Sequence, residues 1–320
     1  MRGATAPPAV LLDQARAGDR RALGRLLSMV EAGGSAADEV AALAHPRAGN
    51  AFVIGMTGAP GAGKSTLTGH LTAALSDGGR RVAVLAVDPT SPLSGGAILG
   101  DRIRMDGVVS DQVFIRSMAT RGHHGGLSLA APGMLRVFDA AGIDVVVLET
   151  VGVGQVEIEV VSAADTTVVV VTPGWGDAIQ ANKAGLLELA DIFVVNKADR
   201  PGAGDARRDL EYMLDLGPGA HDPSGWRAPI VSTTATDGTG IAELAGAIER
   251  HRGWMTDHGE LDRRRARRLR DEVRSHAMAL FALAADARLA SDEGTALLDQ
   301  VVKRRLTPAA AARTLLQTNI

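Results

Sequence analysis

The chain has 320 residues, of which 46% are apolar and 22% charged, with a formal net charge of −3 at pH 7. This charge provides no global field for nucleic acid or an anionic membrane, and the lack of cysteine excludes disulfides and thiolate metal sites. The N-terminus shows no signal pattern, and no apolar run approaches the ~18 residues that span a bilayer. We expect a soluble, cytoplasmic protein with no nucleic-acid or membrane partner.

Three segments are predicted in chain order. Residues 1–48 carry helical apolar patterns, including Leu23 and Leu26, and predict a helical prefix packed on the core. Residues 49–255 contain repeated strand and helix patterns, which predict an α/β fold with a mostly parallel, doubly wound sheet. Residues 256–320 predict a helical extension with a long helix, a second helix and a short tail. Two such helices cannot enclose a core of their own.

A glycine-rich loop follows the first predicted strand, Phe52–Met56. Its sequence matches the phosphate-binding pattern GxxxxGK[ST], and the following helix, about Lys64–Ser76, would direct its positive N-terminus at the same anion. Lys64 would reach the β- and γ-phosphates, and the Ser65 hydroxyl would bind Mg²⁺. The predicted phosphate loop comprises Gly58, Ala59, Pro60, Gly61, Ala62, Gly63, Lys64, Ser65 and Thr66.

Acidic residues end two later strands. The apolar run from Arg81 leads to Asp88, and a loop rich in Gly, Ser and Pro then leads to Asp101. A buried strand starting at Ile143 ends in Glu149, three residues before Gly152, which resembles the GTPase element DxxG with glutamate in place of aspartate. We expect Ser65, Asp88, Asp101 and Glu149 to contribute to a Mg²⁺ shell, and the Gly152 N–H to sense the γ-phosphate. Asp88 could equally cap the following turn.

Asn196, Lys197 and Asp199 form the pattern NKxD at the end of the strand Ile192–Val195. A carboxylate at position 199 can accept both N1–H and N2–H₂ of guanine, a pair of donors that adenine does not offer. Thr234 and Ala235 follow the next strand and would close over the base edge through backbone contacts. Together with the phosphate loop, the pattern predicts binding of GTP and GDP.

The chain resembles the MeaB/ArgK GTPases, which are methylmalonyl-CoA mutase-associated chaperones of the SIMIBI class of P-loop proteins. Ala59 stands where MinD-like relatives carry an extra lysine, and His124 departs from the apolar residue expected after His123. The resemblance covers nearly the whole chain and rests on Gly58–Thr66, Val87–Pro89, Ser94–Met105, Arg116–His123, Glu149–Gln155 and Asn196–Asp199.

This resemblance implies a GTP-hydrolysing metallochaperone that binds an adenosylcobalamin-dependent acyl-CoA mutase, gates cofactor loading and protects the mutase. It also implies a homodimer that uses the C-terminal helical arm. Residues 91–106, 149–159 and 177–188 would be three switches. The third contains Lys183, which we expect to approach the nucleotide when the partner binds.

Other functions remain open at this point. A phosphotransferase that uses the γ-phosphate would need a base and an acceptor pocket, which the sequence does not display. A nickel-insertion GTPase would be expected to carry Cys/His clusters that are absent here.

Three further patterns have an ordinary interpretation. His123 and His124 could bind a metal but more simply lie in a polar loop. The basic run Arg263–Arg270 could bind nucleic acid, yet it predicts a solvated or dimer-facing helix surface. The apolar residues Met278, Leu280, Phe281 and Leu283 could line a cofactor pocket, but their helical spacing predicts a packing face.

Overall fold

The structure, a computed structural model, describes residues 6–89, 113–120, 126–150, 162–174, 190–216 and 225–317. The chain divides into two compact units, and the division lies between Arg268 and Leu269. The predicted segment limits at residues 48 and 255 stay predictions.

The first unit contains seven described strands, and its helices flank them. The strands are β1 Phe52–Gly58, β2 Val82–Pro89, β3 Phe114–Thr120, β4 Val145–Thr150, β5 Thr166–Val171, β6 Ile192–Asn196 and β7 Ile230–Thr233. The helices are α1 Pro8–Arg16, α2 Arg20–Ala32, α3 Ser35–Ala44, α4 Lys64–Asp77, α5 Gly126–Ala140, α6 Ala203–Leu216 and α7 Ile241–Asp257, with a short 3₁₀ turn at His45–Arg47.

The strands form one sheet in the order β3-β2-β4-β1-β5-β6-β7, and every neighbouring pair is parallel. The predicted doubly wound α/β fold is therefore confirmed. Strand β1 lies where the chain path changes direction across the sheet, since β2 lies to one side of it and β5 to the other. In open parallel sheets this point, at the carboxyl ends of the strands, is where ligands bind.

Alternate residues of the strands are buried on opposite faces. In β1, Ile54 and Met56 face the core formed with α4 and α7, whereas Val53 faces the core formed with α1, α2, α3 and α5. Because both faces are covered, the strands are continuous apolar runs rather than alternating ones. Helix α6 covers a third cluster on β5, β6 and β7.

The N-terminal helices pack as their apolar spacing predicts. The Asp19 carboxylate accepts hydrogen bonds from the backbone N–H groups of Arg21 and Ala22 and so caps α2. The residues buried on α1 and α2 are Leu11, Leu12, Ala15, Ala22, Leu23, Leu26, Leu27 and Val30.

Helix α8, Glu260–Leu289, begins in the first unit with part of the basic run. Both terminal nitrogens of Arg264 donate to the Asp191 carboxylate at 2.9 Å. Arg265 donates to Asp165 Oδ2 at 3.1 Å, and Arg268 also donates to Asp165. The prediction of a solvated or dimer-facing helix surface is therefore wrong for these three arginines, because they pair with carboxylates of the same chain that are 0% and 5% exposed.

The two aspartates immediately precede β5 and β6. Asp165 Oδ2 also accepts the Val53 N–H at 2.9 Å, and Asp191 Oδ2 accepts the Thr167 N–H at 2.8 Å. Burial opposes ionisation of Asp165, but Arg268 and Arg265 outweigh it and hold the pKa of Asp165 below its ordinary value. We call Asp165, Asp191, Arg264, Arg265 and Arg268 the arginine clamp.

A fully buried histidine adjoins the arginine clamp. His251 Nδ1 lies 2.8 Å from Thr166 Oγ1, and His251 Nε2 lies 3.3 Å from Asp191 Oδ1. The Trp226 ring packs 4.6 Å from the imidazole, and the Trp226 indole N–H donates to the Asp191 carbonyl at 2.7 Å. Burial lowers the pKa of His251 from 6.5 to about 4, although the Asp191 charge opposes that shift.

The second unit consists of the remainder of α8 with α9, Asp292–Val302, and α10, Pro308–Gln317. The sequence predicted a short tail after residue 306, which is wrong, because Pro308 starts a helix whose first turn is capped by the Thr307 hydroxyl at 3.2 Å from Ala310 N. Arg288 on α8 donates to the Leu315 carbonyl on α10 at 2.5 Å.

Large apolar side chains remain exposed on α8. The predicted packing face is not packed within the described chain, because Met278, Leu280, Phe281 and Leu283 expose 57–69% of their surface. No described helix is both long enough and apolar enough to cross a membrane.

Replacing Asp165 by Asn should lower the free energy of unfolding by about 3 kcal/mol, because two half-buried guanidinium groups would lose their buried counter-charge. Urea denaturation measures this change. The matched control is Asp205→Asn, which removes an exposed pair with Arg208 and should cost less than about 1 kcal/mol. Equal effects of the two substitutions would contradict the structural importance of the arginine clamp.

His251 should make stability fall as the pH drops from 6.5 towards 4. In that window the unfolded chain binds a proton at His251 that the folded protein does not bind, so the loss reaches up to about 3 kcal/mol. The variant His251→Asn keeps an amide near Thr166 and should show a shallower dependence in urea denaturation at several pH values. The exposed control His45→Asn should show the pH dependence of the wild type. If the stability of His251→Asn depends on pH as steeply as that of the wild type, His251 is not the group responsible.

Candidate nucleotide site

The loop between β1 and α4 fits closely against neighbouring backbone and side chains. Gly58 has φ +143°, and a Cβ there would lie 2.1 Å from the Val170 carbonyl oxygen of β5. Gly63 has φ +89°, and a Cβ there would lie 2.3 Å from Asn196 Nδ2. Both positions therefore require glycine, for backbone conformation and for space.

The Lys64 ammonium group lies under this loop. Its Nζ donates to the Gly58 carbonyl at 2.8 Å and to the Ala59 carbonyl at 3.2 Å, and Lys64 is only 5% exposed. The cation is thus held at the loop by two backbone carbonyls. Phosphate oxygens are stronger acceptors than these neutral carbonyls, so the same position suits binding of an oligophosphate.

Ser65 on α4 meets the acid at the end of β4. The Ser65 hydroxyl donates to Glu149 Oε1 at 2.6 Å, and Glu149 is 3% exposed. The parallel register sets Glu149 opposite Met56, two residues before Gly58, and this places the carboxylate beside the phosphate loop. A hydroxyl and a carboxylate are hard oxygen ligands, so this pair fits the preference of Mg²⁺.

Asn196 connects the phosphate loop with β7. Its side-chain N–H donates to the Ala62 carbonyl at 2.7 Å, while its Oδ1 accepts the Thr233 hydroxyl at 3.1 Å and the Ala235 N–H at 3.0 Å. Asn196 is 1% exposed. Because each of these bonds is buried, the side chain fixes the distance between the loop and the segment that follows β7.

Lys197 makes a second connection to the phosphate loop. Its Nζ donates to the Gly61 carbonyl at 2.8 Å, and its backbone has φ +58°, an uncommon conformation for a residue with a side chain. Asp199 is exposed two residues later, and Thr234 pairs with Thr239 in an isolated bridge. The structure thus brings the NKxD residues, Thr234 and Ala235 to the same edge of the sheet as the phosphate loop.

Several predicted residues lie outside the described part of the chain. These are Asp101, Gly152, Lys183 and the His123–His124 pair, together with most of the three predicted switches. The Asp88 backbone lies near the end of β2, at the nucleotide edge of the sheet, but its side chain is not among those that the structure describes. Within the residues that are described, no group of three or more His, Asp or Glu side chains is arranged to hold a metal ion.

Sequence reasoning missed Thr233 and the arginine clamp. Thr233 is fully buried and orients Asn196, and no local motif predicts this role. The clamp did leave a signal, because an aspartate directly precedes each of the strands β5 and β6 and a run of arginines follows the last β-α unit. Only the fold shows that these charges meet.

A parallel sheet with a phosphate loop after β1 and NKxD after β6 defines the class of P-loop GTPases. Residues 23–288 match the family model described as "Methylmalonyl Co-A mutase-associated GTPase MeaB". The chain belongs to this family, as the motifs predicted, and it is a GTPase that binds guanine nucleotides.

Individual relatives agree with this assignment. A putative GTPase of Pyrococcus abyssi is 44% identical over 308 residues, which cover 96% of this chain and 95% of that protein. A fused isobutyryl-CoA mutase of Cupriavidus metallidurans is 42% identical over 207 residues, which cover 63% of this chain but 19% of that protein. Among solved structures, that of an LAO/AO transport system kinase superposes with a TM-score of 0.73, 28% identity and 98% coverage of both chains.

Proposed function

We propose that this GTPase is a chaperone that gates adenosylcobalamin loading into a cobalamin-dependent acyl-CoA mutase and protects that mutase. The observation that carries the proposal is the match to the fused isobutyryl-CoA mutase. The match covers 63% of this chain but only 19% of that longer protein. The fused protein therefore contains a segment similar to this GTPase together with other sequence. A segment joined to an enzyme in one chain in one organism commonly binds that enzyme as a separate chain in another. The family description, mutase-associated, supports the same partner.

Hydrolysis would use the groups around the phosphate loop. The Lys64 Nζ, which lies 2.8 Å from the Gly58 carbonyl, would donate to the β- and γ-phosphate oxygens and stabilise their charge. Ser65 and Glu149, which are hydrogen-bonded at 2.6 Å, would hold Mg²⁺, and Glu149 would also orient the attacking water. Bound Mg²⁺ would supply further neutralisation of phosphate charge.

Residues beyond the described ranges would complete the site. We assign Asp88 and Asp101 to the Mg²⁺ shell, the Gly152 N–H to the γ-phosphate, and Lys183 to the transition state in the complex with the mutase. Sequence position is the support for these roles: Asp88 lies at the carboxyl end of β2, and Gly152 follows β4, two strands that end at the nucleotide edge.

A phosphotransferase is the second candidate, because the superposed structure is titled a transport system kinase. Phosphoryl transfer to a hydroxyl acceptor needs a base that orients it. In the described part of the site, the buried acid Glu149 bonds to Ser65, the residue that the phosphate-loop pattern assigns to Mg²⁺, so Glu149 is placed beside a metal ligand rather than beside an acceptor hydroxyl of a substrate. We therefore favour hydrolysis.

We also propose that the chain forms a cytoplasmic homodimer through a C-terminal arm, residues 256–320, with residues 1–48 as a helical prefix to the GTPase domain, residues 49–255. The support is the exposure of Met278, Leu280, Phe281 and Leu283, since an exposed apolar helix face of this kind marks an interface.

If Asp199 recognises guanine, Asp199→Asn should weaken GTP binding by about 100-fold and improve xanthosine triphosphate binding, because an amide can donate to the additional carbonyl of xanthine. Calorimetry with GTP, ATP and xanthosine triphosphate tests this exchange. Asp205→Asn removes an exposed carboxylate elsewhere and should retain the wild-type preference. Equal affinity of the wild-type protein for ATP and GTP would disprove the role of Asp199.

The mutase proposal predicts that a cognate mutase accelerates GTP hydrolysis and that Lys183→Ala reduces the ratio of stimulated to basal rate by about tenfold or more. A cation ordered beside the γ-phosphate only in the complex would explain both effects. Phosphate release with and without the purified mutase measures the ratio, and a pull-down verifies binding. Lys303→Ala, which removes an exposed pair with Asp299, is the matched control. Full stimulation of a bound Lys183→Ala variant would exclude this mechanism, and absence of mutase binding would exclude the partner.

A further inference from the structure

A polar cavity of about 390 Å³ lies at the edge of the sheet opposite the nucleotide site. Its lining includes Asn50, Arg80 and Asp144, which come shortly before the strands β1, β2 and β4 respectively. The phosphate loop and Glu149, in contrast, lie at the carboxyl ends of β1 and β4. A seven-residue strand spans roughly 20 Å, so this cavity and the nucleotide site are separate.

Four arginines line the cavity. Arg16 comes from the last turn of α1, Arg47 from the 3₁₀ turn, Arg80 from the loop before β2, and Arg252 from α7. Elements that are distant in sequence thus bring four guanidinium groups to one concave surface. The lining itself carries two carboxylates, those of Asp139 and Asp144, beside the four guanidinium groups.

The two lining carboxylates are engaged by backbone groups. Asp139 Oδ2 accepts the Gly49 N–H at 2.5 Å and the Asn50 N–H at 3.1 Å. Asp144 Oδ2 accepts the Arg81 N–H at 2.7 Å. These bonds fix the entries to β1 and β2 and use part of the acceptor capacity that could otherwise satisfy the arginines.

The four guanidinium groups differ in their own partners. Arg47 pairs with Asp13 at 2.8 Å, and Arg80 pairs with Glu249 at 2.5 Å, each through a single terminal nitrogen. Among the described residues, neither Arg16 nor Arg252 has a carboxylate within ion-pair distance. Arg252 instead lies over the Phe52 ring, 5.1 Å from its centre. Two guanidinium forks at the cavity therefore have donors to offer to a ligand.

We propose that this cavity binds a small phosphorylated anion, such as a phosphate monoester that also carries a carboxylate. A guanidinium fork matches the paired oxygens of phosphate or carboxylate, and Arg16 and Arg252 supply two such forks. Arg47, Arg80 and the Asn50 amide add further donors. The cavity volume is that of a small-molecule site. Phe52 is buried beneath Arg252, so its ring is not available to stack on a nucleobase.

Calorimetric titration of 3-phosphoglycerate into the full chain tests the proposal, with GDP and Mg²⁺ in excess so that the phosphate loop is already occupied. We expect saturable binding of one molecule per chain at constant ionic strength. The double variant Arg16→Gln, Arg252→Gln should weaken binding by about tenfold or more, because it removes both guanidinium forks. Arg25→Gln, an exposed arginine on α2, is the control for net charge and should bind as the wild type does.

Four results would overturn the proposal. The first two are the absence of saturable binding and the displacement of 3-phosphoglycerate by additional GDP. The third is a loss of affinity in Arg25→Gln equal to that in the double variant. The fourth is binding of a polyglutamate peptide but not of 3-phosphoglycerate, which would indicate a docking surface for an acidic protein. If the double variant has a lowered melting temperature, a second double variant, Arg16→Lys with Arg252→Lys, tests the proposal instead, because lysine retains the charge but not the guanidinium fork. An intermediate affinity supports the proposal, and wild-type affinity contradicts it.

Discussion

The nucleotide site depends on one buried side chain, Asn196, which bonds the phosphate loop at Ala62 and the segment after β7 at Ala235. The phosphate loop and the predicted guanine-binding elements come from opposite ends of a long stretch of sequence, and nothing local sets their separation. A side chain that is 1% exposed and bonded on both sides sets it. Gly63 follows from the same constraint, because a Cβ there would occupy the position of Asn196 Nδ2. Lys197 adds a bond to Gly61 from the same strand end.

The opposite edge of the sheet is organised by charge. Asp165 and Asp191 stand at the entries of β5 and β6, where a carboxylate can accept the first backbone N–H groups of neighbouring strands. Burying these carboxylates requires counter-charge, and the start of α8 provides it through Arg264, Arg265 and Arg268. The arginine clamp therefore links the start of α8 to the sheet at the entries of β5 and β6. It also explains why a run of arginines in this family member need not contact nucleic acid.

Both edges carry cationic side chains, but of different kinds. At the nucleotide edge, Lys64 lies at the phosphate loop, while Ser65 and Glu149 provide oxygen ligands. At the entry edge, arginines dominate and some, such as Arg16 and Arg252, are not matched by described carboxylates. The same sheet thus presents an anion-binding chemistry at both ends, built from backbone and lysine at one and from guanidinium groups at the other.

The sequence by itself determined the sheet, the phosphate loop, NKxD and the family, because buried strands are continuous apolar runs and each motif is a local stretch with fixed spacing. Glu149 could be placed at a strand end, but its bond to Ser65 depends on the register of β4 against β1. Tertiary structure alone decided that Asn196 holds the loop, that three arginines pair with two buried aspartates, and that His251 is buried. These contacts join residues between 37 and 134 positions apart, and such pairings follow from strand order and packing, which no local pattern encodes.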